Sequence, residues 1–322
     1  MATSDIDLGA IVEAIRDHPG LAAKKPLARI SDSLPPRDWL TGPGDDGAAI
    51  AMGSDFAIVC GEAIFPPFVA HDPHGAGIAA VLANVNDVAA MGAEPLAIVD
   101  TIVADASTAE QVLAGMRWAS EAYRVPIVGG HLTISDGPPS VSAFALGSTT
   151  RPLSATNVRQ GQRLVIAASL DGRMRPDFPF FTSLDARRDH LAHDVRLLPE
   201  VAERGLAIAA KDISMAGLIG SLAMLFEFSD AGIELDVSQI PTPDGVPLAQ
   251  WLTCFPSFGF LLACEESTVE GCLRIFHETG ITAHDLGTID ASGMVRLCQG
   301  DQTVDCLPVA GVTGLDRNSS IE

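Results

Sequence analysis

Hydrophobic and polar positions in the first half of the chain change repeatedly between a helical period and a strand period. Apolar residues at helical spacing predict helices over 6–16, 75–91 and 107–123. Short apolar or β-branched runs bounded by turn residues predict strands over 48–52, 56–60, 95–104, 126–133 and 140–148. This succession of helices and strands predicts an α/β domain. The proline-rich stretch 26–43 predicts a loop.

The second half of the chain resumes the same pattern after a polar connection over 151–161. It predicts strands over 163–168, 233–237 and 258–264, and helices over 184–204, 216–228 and 268–279. A chain of 322 residues exceeds the size at which one core usually stops growing. We therefore predict two α/β domains, 1–151 and 152–322.

Composition and charge narrow the class of protein. The chain is 47% hydrophobic and 19% charged, as expected of a globular protein. Its formal net charge of -21 disfavours a nucleic-acid partner, because phosphate backbones are bound by clustered lysine and arginine. A nucleotide substrate stays compatible with this charge if divalent cations lie between carboxylates and phosphates.

The six cysteines and the N-terminus indicate a cytoplasmic protein. No pair of cysteines has the Cys-x-x-Cys spacing, and most lie among apolar residues, so we expect buried free thiols. The first seven residues carry acids where a signal peptide needs basic residues. No apolar run is long enough for a membrane span, so we expect no membrane partner.

Three acidic segments carry the candidate chemistry. Segment 44–47 (Gly-Asp-Asp-Gly) places two carboxylates in a glycine-flanked turn, which fits either an ordinary turn or a metal site. Segment 84–87 (Asn-Val-Asn-Asp) puts three polar side chains into an apolar helix, so they contact either a ligand or solvent. In segment 211–217, Asp212 or Ser214 caps a helix or lies beside an anion or magnesium at the helix N-terminus.

Two further segments offer weaker signals. Gly129 and Gly130 would let the backbone approach a phosphate, with His131 either directed at the ligand or serving as a structural residue. Lys24 and its basic neighbours either close over phosphates or form a solvated turn. The chain has no Gly-x-Ser-x-Gly elbow, no Walker-type phosphate loop and no Gly-x-Gly-x-x-Gly dinucleotide motif. Any nucleotide site must use another architecture.

Read in order, four segments resemble the aminoimidazole-ribonucleotide (AIR) synthase-like superfamily. They are 44–50 (Gly-Asp-Asp-Gly-Ala-Ala-Ile), 86–93 (Asn-Asp-Val-Ala-Ala-Met-Gly-Ala), 129–131 (Gly-Gly-His) and 212–214 (Asp-Ile-Ser). Segments 174–181, 211–215 and 251–260 are similar to its AIR synthase-related branch. The resemblance implies a two-domain α/β fold. It also implies a homodimer whose N-terminal domains together close a β-barrel.

The resemblance also implies a magnesium and ATP site. Matched position by position, the metal-binding acids are Asp45, Asp46, Asp87 and Asp212, with Asn84 and Asn86 beside them as supporting contacts. Gly129, Gly130 and Lys24 are further candidate nucleotide contacts because of their residue types. Asp212 and His131 are the implied catalytic residues. Glu62 stands where kinase-like relatives have aspartate and is a further candidate ligand, while His131 replaces another family acid.

The implied function is ATP-dependent activation of a small molecule. The nucleophile is a carbonyl or amide oxygen in an AIR synthase-like ligase or cyclo-ligase, and a phosphate oxygen in a thiamine-monophosphate kinase-like enzyme. A non-catalytic nucleotide-binding scaffold is the alternative from another class, because Glu62 and His131 depart from the pattern. Arg175 and Asp177, beside three phenylalanines, form either a substrate contact or a buried structural ion pair.

Overall fold

The computed structural model describes residues 6–29, 42 and 44–315, which form helices and strands in both halves of the chain. The helices are α1 (Leu8–Arg16), α2 (Pro19–Ala22), α3 (Pro66–His71), α4 (Pro73–Ala90), α5 (Ala106–Tyr123), α6 (Leu191–Asp194), α7 (Leu197–Glu203), α8 (Gly217–Phe226), α9 (Leu248–Thr253) and α10 (Val269–His277). Short 3-10 helices cover Lys25–Leu27, Ala155–Asn157, Val237–Gln239 and Glu266–Thr268.

The strands lie between and after these helices along the chain. They are β1 (Ala48–Met52), β2 (Asp55–Ile64), β3 (Glu94–Ala104), β4 (Ile127–Ile134), β5 (Ser140–Thr149), β6 (Arg163–Ala168), β7 (Arg173–Met174), β8 (Phe180–Thr182), β9 (Ala209–Asp212), β10 (Ile233–Asp236), β11 (Phe255–Pro256), β12 (Gly259–Cys264), β13 (Thr282–Thr288), β14 (Met294–Gln299) and β15 (Gln302–Pro308).

The chain folds into two compact units. The five-strand unit comprises Asp46–Pro152 and Arg187–Arg204. The four-strand unit comprises the described residues up to Asp45, Leu153–Ala186 and the chain from Gly205 onwards. This division differs from two consecutive domains at 1–151 and 152–322. One reason is that α1 buries Leu8 and Ile11 in the core of the four-strand unit.

The five-strand unit is built on one mixed sheet with strand order β1-β2-β5-β3-β4. Strands β3 and β4 are parallel, and the other neighbouring strands are antiparallel. Along β3, buried residues such as Ile98 and Ile102 alternate with exposed ones such as Val99 and Val103. The helices α4 and α5 therefore pack on one face of the sheet, and no described element of this unit covers the other face.

Two glycines let α4 and α5 approach each other closely. A Cβ on Gly77 of α4 would lie 2.1 Å from the carbonyl oxygen of Val112 in α5. In the same way, a Cβ on Gly115 of α5 would lie 2.0 Å from the carbonyl oxygen of His74. Real Cβ atoms do not come this close to backbone oxygens. Glycine at both positions thus fixes how closely the two helices pack on the sheet.

The Gly77→Ala variant is expected to lose about 1 to 3 kcal/mol of unfolding free energy, because the added methyl group forces two packed backbones apart. Urea denaturation followed by circular dichroism measures this loss. Gly137→Ala is the matched control, since a Cβ there would lie 3.4 Å from its nearest neighbour, the Ser135 hydroxyl. Equal stability of the Gly77→Ala variant and the wild type would contradict the packing described for α4 and α5.

The four-strand unit has its main sheet in the order β13-β6-β12-β9, with all neighbours antiparallel. Two three-stranded sheets, β10-β14-β15 and β11-β8-β7, belong to the same unit. Every residue of α8 is buried, as expected of a helix that is apolar on all sides. The core gathers apolar side chains from α1, α8 and the strands β6 and β12.

Most predicted elements are present, with two main differences. The helix predicted over 184–204 is wrong in its extent, because the chain there forms the short helices α6 and α7. Arg187 turns back to form a buried ion pair with Asp194, with Nε 2.6 Å from Oδ2. The strands β13, β14 and β15 lie beyond the last predicted element. Most of the loop predicted over 26–43 lies outside the described residues.

The expectation of free thiols is confirmed for all six cysteines, of which Cys254, Cys264, Cys272 and Cys306 are buried. Within the described part of the chain, no helix combines the length and apolar character needed to cross a membrane.

Candidate functional site

The turn that carries the first acidic segment is tightly specified. Gly44 has φ +94°, and a Cβ there would lie 2.6 Å from the Phe228 ring, so only glycine fits. The Asp45 carboxylate accepts hydrogen bonds from the Ser154 hydroxyl at 2.6 Å, the Ala155 amide at 2.7 Å and the Gly42 amide at 3.0 Å. Asp45 thus anchors the turn within the four-strand unit.

Asp46, the next residue, lies near an acid of α4. Carboxylate oxygens of Asp46 and Asp87 lie within 4.8 Å of each other, and Asp87 is only 6% exposed. Two carboxylates this close repel each other unless a proton or a cation lies between them. Of the predicted acids in the five-strand unit, the structure therefore brings Asp46 and Asp87 together.

The polar residues of segment 84–87 are buried, which excludes the solvent-facing alternative. Asn84 and Asn86 are 0% and 4% exposed. The amide group of Asn84 donates to the Ala80 carbonyl at 2.8 Å, and its oxygen accepts from the Cys60 thiol at 3.4 Å. Asn84 therefore supports β2 and α4 from within the unit, and the sequence prediction of a nucleotide contact at Asn84 stays untested.

Cys60 lies between the acids of this unit and stays protonated. Burial raises the pKa of the Cys60 thiol, and the neighbouring carboxylates of Asp87, Glu62 and Asp46 raise it further. The protonated thiol is a hydrogen-bond donor to Asn84, not a thiolate ligand. Glu62 follows two residues later on β2, where it is exposed and lies on the same face of the sheet as Cys60.

His131 lies on the opposite face of the sheet. It pairs with Thr101 across the parallel strands β3 and β4, whereas Gly130 pairs with Asp100. Asp100 is buried on the helix side, so Gly130 lies on the helix side and His131 on the open face. Within the five-strand unit, the structure does not bring His131 together with Asp87.

Asp100 is a buried acid that the sequence analysis missed. It is 8% exposed, and none of the described residues forms an ion pair or hydrogen bond with its carboxylate. A Cβ on Gly130 would lie 2.6 Å from the Asp100 carboxylate, so glycine at 130 leaves room for this acid. The only sequence signal was an aspartate in the middle of an otherwise apolar strand.

The Asp100→Asn variant is expected to raise the melting temperature at pH 7.5, with a smaller gain at pH 5. Burial raises the pKa of the Asp100 carboxyl. An acid with a raised folded-state pKa destabilises the fold above that pKa, and this penalty disappears as pH falls towards its unfolded-state value. Thermal unfolding of both proteins across this range measures the difference. A gain that grows at lower pH would contradict the assignment.

Asp212 and Lys211 end strand β9 in the four-strand unit. Asp212 is 9% exposed, and Lys211 donates from Nζ to the Gly44 carbonyl at 3.1 Å. The prediction that Asp212 or Ser214 caps helix α8 is wrong, because α8 begins after Ala216 without a side-chain cap. The backbone amide of Ser214 instead donates to the Ser221 hydroxyl at 3.0 Å.

Arg175 and Asp177 form a two-bond ion pair, with Nε–Oδ1 at 3.0 Å and Nη2–Oδ2 at 2.8 Å. Their side chains are 25% and 31% exposed, so this is not the buried pair that the structural alternative requires. The ring of Phe255 packs against Phe178 and Phe180 with centroid distances of 5.6 and 5.0 Å. Lys24 is half-buried in the turn before Lys25–Leu27.

Comparison with known proteins identifies the family. Residues 44–149 match the AIR synthase related protein N-terminal domain, and residues 182–298 match the AIR synthase related protein C-terminal domain. An uncharacterized protein of Synechocystis, sll0787, is 35% identical over 279 residues, covering 84% of this chain and 87% of its own.

Solved structures show the same fold. Thermotoga maritima PurL complexed with ATP has a TM-score of 0.73 at 20% identity, over 86% of this chain and 48% of that chain. AaThiL complexed with AMPPCP and TMP has a TM-score of 0.66 at 17% identity, over 87% of this chain and 95% of that chain. The chain thus spans about half the length of the PurL structure. With both domain models matched in order, the chain belongs to the AIR synthase-related family.

Proposed function

We propose that the protein is a magnesium-dependent, ATP-using enzyme that transfers a phosphoryl group to an oxygen of a small molecule. The observation that carries this proposal is the pair of carboxylates on Asp46 and Asp87, within 4.8 Å of each other. The ATP complex of PurL and the AMPPCP complex of AaThiL, which have the same fold, support a nucleotide as the ligand.

The residues present fit magnesium. Oxygen ligands from carboxylates suit this small hard cation, and a divalent charge would offset the repulsion between Asp46 and Asp87. We propose Asp212 as a third acid, because it matches the family acid and ends a strand with its side chain largely buried. Glu62 is a further candidate. Bound magnesium would neutralise phosphate charge and stabilise the charge that develops during transfer.

The chain's own residues supply the positioning on which phosphoryl transfer depends. Asp45 holds the turn before Asp46 through its bonds to Ser154 and Ala155, so it acts in our proposal as an anchor in addition to its expected metal role. The protonated Cys60 thiol keeps β2 against α4 through Asn84. Arg175 and Asp177 are proposed substrate contacts beside the phenylalanine cluster.

Calorimetric titration with ATP, with and without magnesium, tests the proposal. We expect binding that requires magnesium, followed by ADP release once an acceptor with a carbonyl, amide or phosphate oxygen is supplied. A ligase or cyclo-ligase would release inorganic phosphate, whereas a thiamine-monophosphate kinase-like enzyme would release a phosphorylated product. Tight binding without turnover on any acceptor favours the scaffold alternative, and absence of magnesium-dependent binding would overturn all three.

We also propose that the open face of the five-stranded sheet pairs with a second copy of the chain. Six large apolar side chains on this face are 36% to 51% exposed: Ile50, Val59, Val99, Val103, Phe144 and Leu146. They lie on the neighbouring strands β1, β2, β5 and β3 of one sheet. Clustered exposed apolar side chains on a protein surface typically mark an interface. Closure of a β-barrel across a two-fold axis, as the family resemblance implies, would cover these side chains.

A further inference from the structure

Lys211 is an unusual residue in this chain. Only three of the 20 basic residues are lysines, and the other two, Lys24 and Lys25, are adjacent near the N-terminus. Lys211 is 6% exposed, although lysine is rarely buried unless its ammonium group is paired. Its burial therefore needs a reason within the four-strand unit.

The contacts of Lys211 supply that reason. Its Nζ donates to the Gly44 carbonyl at 3.1 Å, while its backbone pairs with Leu261 in the main sheet. The Glu227 carboxylate provides a nearby opposite charge, and it is itself fixed by the amide and hydroxyl of Thr313 at 2.9 and 2.7 Å. The Lys211 ammonium group thus has a hydrogen-bond acceptor on the turn, the Gly44 carbonyl, and a carboxylate nearby, that of Glu227.

The turn that Lys211 contacts is held from two other sides. The Phe228 ring lies against Gly44, and Asp45 is bonded to Ser154 and Ala155. Lys211 adds the only charged contact to the Gly44 carbonyl among the described residues. It ties the turn that leads into Asp46 to the strand that ends at Asp212.

We propose that Lys211 is a positioning residue for the magnesium and nucleotide site. It locks the acid-bearing turn 42–45 to the end of β9, so that the turn that leads into Asp46 is preorganised before the ligand arrives. This inference rests on the proposed function. Lysine suits the role better than arginine, because a compact ammonium group suits a single carbonyl acceptor, whereas a planar guanidinium suits paired acceptors.

A purely electrostatic role predicts a different result. If Lys211 only added positive charge near the site, its removal would change affinity through charge alone and would leave hydrogen exchange over 42–47 unchanged. If Lys211 positions the turn, its removal speeds exchange over 42–47 and also weakens the binding of magnesium and nucleotide. The exchange measurement therefore separates the two roles.

The test compares the Lys211→Met variant with the wild type in two measurements. One is the dissociation constant for AMPPCP in the presence of magnesium, by calorimetry. The other is backbone hydrogen exchange in peptides that cover 42–47, recorded without ligand. We expect at least tenfold weaker AMPPCP binding and at least tenfold faster exchange in these peptides. Arg274→Met is the matched control, since it removes an exposed cation from the same unit and should change neither.

Unchanged or tighter AMPPCP binding in the Lys211→Met variant would overturn the inference, as would unchanged exchange over 42–47. If that variant does not fold, Ser154→Ala loosens the same turn through Asp45 without changing the charge, and it should weaken AMPPCP binding in the same direction. Wild-type affinity in Ser154→Ala would then count against the inference. Failure of the wild type to bind AMPPCP would refute the proposed function itself. The exchange measurement is recorded without ligand, so its result does not depend on that function.

Discussion

Replacement of Asp87 by asparagine is expected to weaken AMPPCP binding in the presence of magnesium by at least 100-fold, or about 2.7 kcal/mol. Asparagine keeps the shape of the side chain but removes the charge that would hold the cation beside Asp46. Because Asp87 is 6% exposed, water would compensate poorly for the lost ligand. Calorimetry at a fixed magnesium concentration measures the change, and thermal unfolding checks that the fold is kept.

Asp55→Asn is the control for this experiment, because Asp55 is an exposed acid at the start of β2 in the same unit. It changes the net charge of the protein equally and should leave affinity within a factor of two or so of the wild type, as usual for a surface change. If the Asp87→Asn and Asp55→Asn variants bound AMPPCP with similar affinity, Asp87 would not be a ligand of the proposed site.

Replacement of Phe144 by aspartate is expected to convert the proposed dimer into a monomer. Phe144 lies on β5, the central strand of the sheet, where its ring packs over Gly61 on one side of the open face and neighbours Val99 on the other. A charge at the centre of an apolar interface would be buried without a partner, which costs several kcal/mol per subunit. Sedimentation velocity measures the change in mass.

Leu113→Asp is the control for the oligomeric state. Leu113 is an apolar residue with a similar exposed fraction, 38% against 45% for Phe144. It lies on α5, on the side of the sheet away from the open face. The Leu113→Asp variant should therefore sediment like the wild type. A wild type that is monomeric at micromolar concentration, or a Phe144→Asp variant that stays dimeric, would contradict the interface.

The local pattern of the sequence correctly predicted helices and strands with a strong hydrophobic period. It failed where contacts between distant residues determine the secondary structure. Helix α5 was predicted within one residue of its observed start, and its cap is Asp105, which accepts from the Thr108 amide. The predicted helix over 184–204 failed because the buried pair of Arg187 and Asp194 organises the chain into turns. Such a pair has no periodic signature in the sequence.

In the candidate site, too, the sequence identified residues with a local signal but not those whose position depends on distant contacts. Sequence reasoning found the adjacent acids Asp45 and Asp46 but could not separate them, because Asp45 is engaged by Ser154, which lies 109 residues further along the chain. It could not place His131 either, since the face on which His131 lies depends on the register between β3 and β4. The polar residues of segment 84–87 were identified because polar side chains in an apolar helix are conspicuous.

The central claim is that Asp46 and Asp87 hold a divalent cation for a nucleotide, and diffraction from crystals grown with AMPPCP and manganese tests it most directly. Manganese replaces magnesium at oxygen sites and gives an anomalous signal that locates it. We predict an anomalous peak about 2.2 Å from carboxylate oxygens of both Asp46 and Asp87, with nucleotide phosphate oxygens completing its coordination. AMPPCP bound with no manganese peak at these two residues would contradict the account.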